Sequence, residues 1–361
     1  MNEKLSGKVQ EIIKGKKYKI IVYLKKGGTG KTPPRKTKVL DNYAKPNLEK
    51  TTYQAYRKEI TRHMIPIMGH IPLCYLTPLH IQEYYNYLAE NGKLVKKGNE
   101  VIRSGGLSAR AITYQHAILR QALEKAVDLE LIPKNPCTKA KPPRSKKHPG
   151  QAWVPMTKEE LREFLKGFEG HRDYAIVYTA AYTGMRQSEL LGLTWSDILW
   201  DEKTIRVNKA LHLSDDEEKF EHRERTKNVS STRNVKITDR VINVLKEHRK
   251  KQLELQLASG GEFNNQNNLV FPNIRNGGYE DRRNLHHRFV NMAEKLGYPD
   301  LTFHHLRHIH ATILLSAGEY INAVSERLGH NDSFTTLKIY AHVLPNKQEE
   351  VANHFDQLMS E

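Results

Sequence analysis

Cysteine is nearly absent from this sequence: Cys74 and Cys137 are the only two in 361 residues. Two cysteines cannot build a disulfide framework, and neither has a partner at metal-ligand spacing. Both are therefore expected as reduced packing residues of a cytosolic protein. Long apolar runs are missing too. No stretch approaches the about 18 uninterrupted apolar residues that a membrane helix needs, and the opening MNEKLSGKVQ has no apolar signal-peptide core. The expected location is cytoplasmic. Acidic residues are also scarce, with 41 Asp and Glu against 58 Lys and Arg and a net charge of +17. Such an excess draws in polyanions and makes nucleic acid the leading partner. It is unevenly spread: residues 1–50 hold 14 Lys or Arg and only 4 Asp or Glu, which marks a dedicated phosphate-binding element.

A hydrophobic content of 38% allows ordinary globular cores, and the length suffices for two or three domains. Residues 7–40 combine the β-branched run Lys19 to Tyr23 with a turn-like Gly27-Gly28-Thr29-Gly30, which predicts a small antiparallel β unit. Gly27 to Lys31 lacks the full spacing of a phosphate loop, so no nucleotide site is expected there. From residue 50 to about 132 the pattern is helical. Thr77-Pro78 opens a helix that Gly92 closes, and Ser108 caps a longer one whose stripe is Ile112, Leu119, Leu123 and Ala126. Six prolines among basic residues between 132 and 155 read as an extended linker. Beyond it, Thr157 and Glu160 form a capping box, and a helix from about Asp173 to Thr183 ends at Gly184. Strands are expected at Thr204 to Val207 and Asn234 to Ile237, with the acidic run Asp215 to Glu218 as a solvated loop between them. From residue 281 the chain reads as mostly helical.

Five short islands concentrate cations and one phenol. They are Thr183-Gly184-Met185-Arg186-Gln187-Ser188-Glu189-Leu190, Thr226-Lys227-Asn228, His304-His305-Leu306-Arg307-His308, Leu328-Gly329-His330 and Ile339-Tyr340-Ala341-His342. Singly, each has a structural explanation: a helix-end arginine, a surface lysine, a loop histidine, a core tyrosine. His304 and His308 share a helix face and could bind a metal. Arg307 between them and the lack of a His-Glu-x-x-His arrangement argue against a zinc site, and no metal is expected.

Taken in order, the islands resemble the tyrosine recombinase family of phage-type integrases. The set is Arg186 in Thr-Gly-x-Arg-x-x-Glu-Leu, Lys227 in a hairpin, His304 and Arg307 in His-x-Leu-Arg-His, His330 in Leu-Gly-His, and Tyr340 ten residues later. The resemblance is strong from about 155 to 345 and looser upstream. It implies a multidomain α+β protein in three modules: a small N-terminal β unit, 1–48, binding arm-type DNA sites; a helical domain, 50–145, binding the core site; and a mainly helical catalytic domain with a small antiparallel sheet, 150–361.

The implied activity is site-specific recombination of a phage or integrative mobile element, through a 3′-phosphotyrosyl intermediate and a Holliday junction, on a homotetramer and without cofactor. A directionality factor and a host DNA-bending protein are possible partners. Arg186 and Arg307 would stabilise the charge growing on the nonbridging phosphate oxygens. His304 would take the proton of the Tyr340 nucleophile, whose reference pKa near 10 demands an acceptor. The resemblance gives Lys227 the protonation of the leaving 5′ oxygen, His330 a bond to the scissile phosphate, and Glu189 and His308 supporting roles. Val351, Phe355 and Leu358 lie near helical spacing and could dock on a neighbouring subunit or on their own domain. Two other readings stand beside this one: a type IB topoisomerase that relaxes DNA, and a non-enzymatic DNA-binding regulator on the same scaffold.

Overall fold

A computed structural model describes residues 45–48, 50–97, 100–144, 155–213, 220–224, 232–330 and 333–340, with the pairs 21–22 and 37–38 and the single residues 355 and 359. The Gly27–Gly30 turn, most of the basic segment 1–48, residues 145–154 of the linker, Asp215 to Glu218, Lys227, His342, Val351 and Leu358 lie outside the described residues. The chain divides into two compact units, Met1–Gln151 and Ala152–Glu361. Among the described residues no helix is long and apolar enough to cross a membrane.

In the first unit, β1 (Ile21–Val22) and β2 (Thr37–Lys38) pair antiparallel. A short α1 (Lys45–Asn47) precedes α2 (Lys50–Glu59), which runs through a π-helical turn, Ile60–Met64, into α3 (Ile65–Met68). The next helix, α4 (Pro78–Asn91), starts where the sequence signals it, the Thr77 hydroxyl accepting from the His80 amide at 3.3 Å. In α5 (Ala109–Asp128) the Ser108 hydroxyl accepts from the Ala111 amide at 3.3 Å, and the stripe of Ile112, Leu119, Leu123 and Ala126 is buried.

These helices enclose a core in which Tyr84 and Tyr85 are wholly buried. Each phenol keeps a partner, Tyr84 donating to Gln115 Oε1 at 3.0 Å and Tyr85 meeting His116 Nδ1 at 2.7 Å. Two expectations are corrected here. Between α4 and α5 the chain forms a hairpin, β3 (Leu94–Lys97) with β4 (Glu100–Arg103), within a segment that reads as helical throughout. Its lysines blur the two-residue alternation, and the spacer Gly98-Asn99 is the turn signal that marks it. Cys137 is buried as expected, but Cys74 is exposed, because the 3-10 turn Leu73–Tyr75 that carries it buries none of its residues.

In the second unit, α6 (Lys158–Gly167) opens with the capping box, Thr157 donating its amide to Glu160 at 2.7 Å and accepting from the Glu160 amide at 3.1 Å. After it come α7 (Tyr174–Thr183) and the short α8 (Gln187–Leu191). An antiparallel sheet of order β5 (Ile198–Leu199), β6 (Thr204–Val207), β9 (Arg233–Lys236) sits beside a separate hairpin, β7 (Lys209–Leu213) with β8 (Phe220–Glu224). The rest of the unit is helical: α9 (Asp239–Ala258), α10 (Arg282–Lys295), α11 (His305–Ser316), α12 (Ile321–Leu328) and α13 (Ser333–Tyr340).

The apolar α7 runs through the centre of the unit, so polar pins at its two ends fix everything else against it. At its start Asp173 accepts a forked pair from Arg288 of α10, at 2.7 and 3.0 Å, and Arg288 also reaches Glu280 at 2.9 Å. Shared between two carboxylates, the Arg288 guanidinium offsets much of the penalty of its partial burial. Beside this network Phe164, Phe168, Phe289 and Phe303 pack ring against ring, with Phe289 fully buried.

Replacing Phe289 by Ala removes the ring that ties α10 to α6, an expected loss of about 3–5 kcal/mol. All three tryptophans, Trp153, Trp195 and Trp200, belong to this unit. Guanidinium titration followed by tryptophan fluorescence should therefore show the midpoint moving down, and an unmoved midpoint would contradict the packing described.

Candidate active site

The second polar pin, at the C-terminus of α7, is where four of the five sequence islands converge; the Lys227 island lies outside the described residues. Gly184 ends the helix in left-handed geometry at φ 65°, and a Cβ there would lie 2.7 Å from Leu328 and 2.8 Å from His310. That reversal delivers Arg186 to the start of α8. The last carbonyls of a helix lack intrahelical partners, and here three cationic or polar side chains take them. Arg307 Nη1 donates to the Gly184 carbonyl at 2.8 Å, Arg327 Nη2 to Tyr182 at 2.9 Å, and His310 Nδ1 to Ala181 at 2.9 Å. Because His310 gives its Nδ1 proton to a carbonyl, its Nε2 is the acceptor for Arg327 Nε at 3.1 Å. Burial and the Arg327 charge push the His310 pKa down to about 4.

One buried carboxylate organises the arginines. Glu189 accepts from the Arg186 amide at 2.9 Å and from Arg186 Nη1 at 2.9 Å. It also accepts from Arg233 Nη1 at 3.3 Å and Arg233 Nη2 at 2.9 Å. Burial alone would raise this carboxyl, but the charge and hydrogen bonds of Arg233, and then of Arg186, outweigh it and hold it at about 2. Arg186 reaches on to the Gly329 carbonyl through Nη2 at 3.0 Å. Gly329 also takes left-handed geometry, at φ 67°, and it turns the chain from α12 toward His330.

Arg307 is buried, and among the described residues its Nη2 has no hydrogen-bond partner. Burial, and then the charge of Arg186, depress its pKa to about 9. Among the described residues this guanidinium has no counter-anion of its own, since the nearby Glu189 carboxylate is already shared by Arg186 and Arg233. The arrangement suits a ligand with negatively charged oxygens.

The buried phenol of Tyr340, on α13, meets His308 Nδ1 at 2.7 Å. Burial pushes the phenol up to about 12, with the Arg307 charge pulling the other way. Burial, and then His304 and His305, bring His308 down to about 4. At neutral pH the pair is thus a neutral phenol and a neutral imidazole. His304 stands edge-on to His308 with ring centroids 4.8 Å apart, and its own pKa is lowered by burial and by Arg307. His330 Nδ1 bonds Thr336 Oγ1 at 2.6 Å, which leaves Nε2 as the nitrogen to face a ligand. Burial and the charge of Arg307 lower His330 to about 4.

The sequence reading pairs the phenol with His304, whereas the hydrogen bond in the structure is to His308. The first residue of the His-x-Leu-Arg-His island precedes the first turn of α11, and the fifth is the one whose ring faces α13. Arg233 is absent from the sequence reading altogether. Its only signal is an arginine at an inward position of β9, which alternates buried and exposed. His305 accepts from the Thr302 amide at 3.1 Å through Nδ1 and holds the local turn. Among the described residues no group of three or more His, Cys, Asp or Glu side chains is placed to hold a metal ion.

Comparison with known proteins covers both units. Residues 155–347 match the model of the phage integrase family, and residues 40–89 match the phage integrase N-terminal SAM-like domain. A tyrosine recombinase XerC-like protein of Caldanaerobacter subterraneus is 31% identical over 291 residues, 78% of this chain and 71% of that protein. The ICEBs1 integrase of Bacillus subtilis is 26% identical over 322 residues, 88% and 79% of the two chains.

Among solved structures, the Tn1549 transposon integrase in complex with a circular intermediate DNA superposes with a TM-score of 0.68 at 20% identity, covering 89% of this chain and 99% of that one. A lambda integrase dimer bound to a core site gives 0.54 at 16% identity, covering 86% and 93%. The fold is thus that of integrases. With the family model spanning the unit that gathers Arg186, Glu189, Arg307, His330 and Tyr340, the chain belongs to the phage integrase family of tyrosine recombinases.

Proposed function

We propose that this recombinase cuts and rejoins DNA at specific sites with Tyr340 as its nucleophile. The reading rests on one observation: the buried Tyr340 phenol is hydrogen-bonded to a histidine of α11, the helix whose Arg307 has a buried donor with no partner among the described residues. A phosphodiester supplies the missing anion. Its nonbridging oxygens gain charge as the phenolic oxygen bonds to phosphorus, and Arg186 and Arg307 stabilise that charge in an environment that excludes water. His330 adds a further hydrogen bond through Nε2.

The proton leaving Tyr340 passes to His308 Nδ1, and the P–O5′ bond breaks as the P–O bond to Tyr340 forms. Lys227, proposed to protonate the departing 5′ oxygen, completes the set. The products are a 3′-phosphotyrosyl linkage and a free 5′-hydroxyl. Attack by another strand's hydroxyl reverses each step, so the phosphoester bond energy stays in the linkage. His304, edge-on to His308, would help fix the position of that ring.

The division of labour belongs to the same proposal. Residues 1–48, where over half of the charge excess lies, would grip separate arm sites, 50–145 the core site, and 150–361 the scissile phosphate. Exchange of two strand pairs requires four copies on two duplexes. A lambda integrase has been solved as a tetramer bound to a Holliday junction. Integration and excision of a phage or transposable element, with a directionality factor and a bending protein, would be the biological setting.

Three outcomes are expected. Tyr340→Phe should bind its site normally yet form no covalent adduct on nicked suicide duplexes; adducts that persist would assign the nucleophile elsewhere. His308→Ala should slow adduct formation by about 100-fold or more, the usual contribution of a general base. Raising the pH should restore part of that rate, because the unassisted phenol must ionise by itself, and a loss independent of pH would exclude proton transfer to His308.

The third outcome concerns stability. His308, His310 and His330 sit near 4 in the folded protein, well below the ordinary imidazole value of 6.5. Their folded pKa values are depressed, so the unfolded chain binds more protons between the two limits. Stability is fully present above about pH 6.5 and falls as the pH drops toward 4. Melting of the DNA-free protein should show that decline, and a flat melting temperature across the window would contradict it.

A further inference from the structure

Arg307 leaves Nη2 without a partner among the described residues, whereas every guanidinium nitrogen of Arg233, the third arginine of the cluster, has one. Arg233 Nε donates to the Arg327 carbonyl at 2.7 Å, and both terminal nitrogens donate to Glu189. The side chain is buried, and its Nη1 lies only 2.7 Å from where a Cβ on Gly329 would stand. It therefore occupies the space behind the turn from which His330 emerges. It belongs to β9, which pairs with β6 and follows the segment carrying Lys227.

We propose that Arg233 is a positioning residue for strand cleavage, acting through Glu189 to aim Arg186 and through the end of α12 to place His330. The inference rests on the recombinase reading and extends it to a residue that never meets the phosphate. A carboxylate next to a lone guanidinium draws it into a full two-pronged pair. Here Arg233 takes up both carboxylate oxygens from behind, and Arg186 is left with a single side-chain bond to Glu189, through Nη1. The remainder of the Arg186 fork stays directed at the Gly329 turn and the ligand side.

Without Arg233, Arg186 would close on Glu189 and withdraw from the phosphate, and the α12 terminus would lose the donor on its Arg327 carbonyl. Lysine retains the charge but not the three-way grip, so it is expected to substitute only in part.

Single-turnover cleavage of a suicide duplex by the full chain separates the possibilities, with the rate constant and the amplitude measured apart and DNA affinity measured by fluorescence anisotropy. Arg233→Ala is expected to keep its DNA affinity within about threefold, while the rate constant at saturating DNA falls by about 100-fold, the scale of an ångström's misplacement. Arg233→Lys should regain part of that rate. Loss of folding alone would lower the amplitude and leave the rate constant of the active fraction untouched, and that result overturns the proposal.

Because Arg233→Ala leaves Glu189 short of a partner, a second comparison uses Glu189→Ala and the double variant, which has no unpaired carboxylate. If Arg233 acts through Glu189, the double variant is no slower than the slower single variant; losses that multiply overturn the proposal. A wild-type chain that forms no adduct overturns the recombinase reading and this inference together. Wild-type cleavage with an unaltered Arg233→Ala rate overturns this inference alone.

Discussion

A single buried carboxylate among several guanidiniums sets the terms for the catalytic unit. Glu189 is inaccessible to solvent and stays ionised because Arg233 and Arg186 both bond it. Removing any partner from such a cluster strands a charge in a poorly solvated place. The cluster also has more cations than anions. A fully neutralised site would have no affinity for a phosphate, whereas one with no carboxylate would leave Arg186 unanchored. The compromise holds the arginines in place and leaves Arg307 with an unanswered donor.

The phenol and its histidine show the same logic applied to protons. In water a tyrosine and a histidine differ in pKa by about 3.5 units. In this site burial drives them apart, the phenol upward and the imidazole downward. The resting pair therefore keeps its proton on oxygen. Under the proposed mechanism an incoming phosphodiester would shift that balance by partly neutralising Arg307, whose charge adds to burial and the neighbouring histidines in lowering the imidazole's basicity. A nucleophile that stays protonated until its substrate arrives is protected from side reactions.

Much of this was legible in the residues. The caps at Thr77, Ser108 and Thr157 announce α4, α5 and α6, because a hydroxyl just ahead of an apolar repeat has one dominant use. Gly184 marks the end of α7 for a similarly local reason. The island pattern brought forward Arg186, Arg307, His330 and Tyr340, which the structure gathers in one unit. What stayed hidden depends on contacts distant in sequence. Nothing local distinguishes His304 from His308 as the neighbour of Tyr340, since that depends on how α13 returns against α11. Arg233 looks like any strand-end cation until Glu189, 44 positions earlier in the chain, is placed opposite it. The hairpin of β3 and β4 was masked by its lysines, and the exposure of Cys74 by a turn too short to bury anything.

The C-terminus of α7 has a further consequence. Arg307 holds the Gly184 carbonyl with one terminal nitrogen and leaves the other without a partner among the described residues. Only a planar, two-armed cation can serve a helix end and a substrate at once, because an ammonium would have to abandon one for the other. A lysine at position 307 would have one point charge to divide between the Gly184 carbonyl and a bound anion. The narrowness of choice at residue 307 is a property of the backbone it leans on as much as of the chemistry it performs.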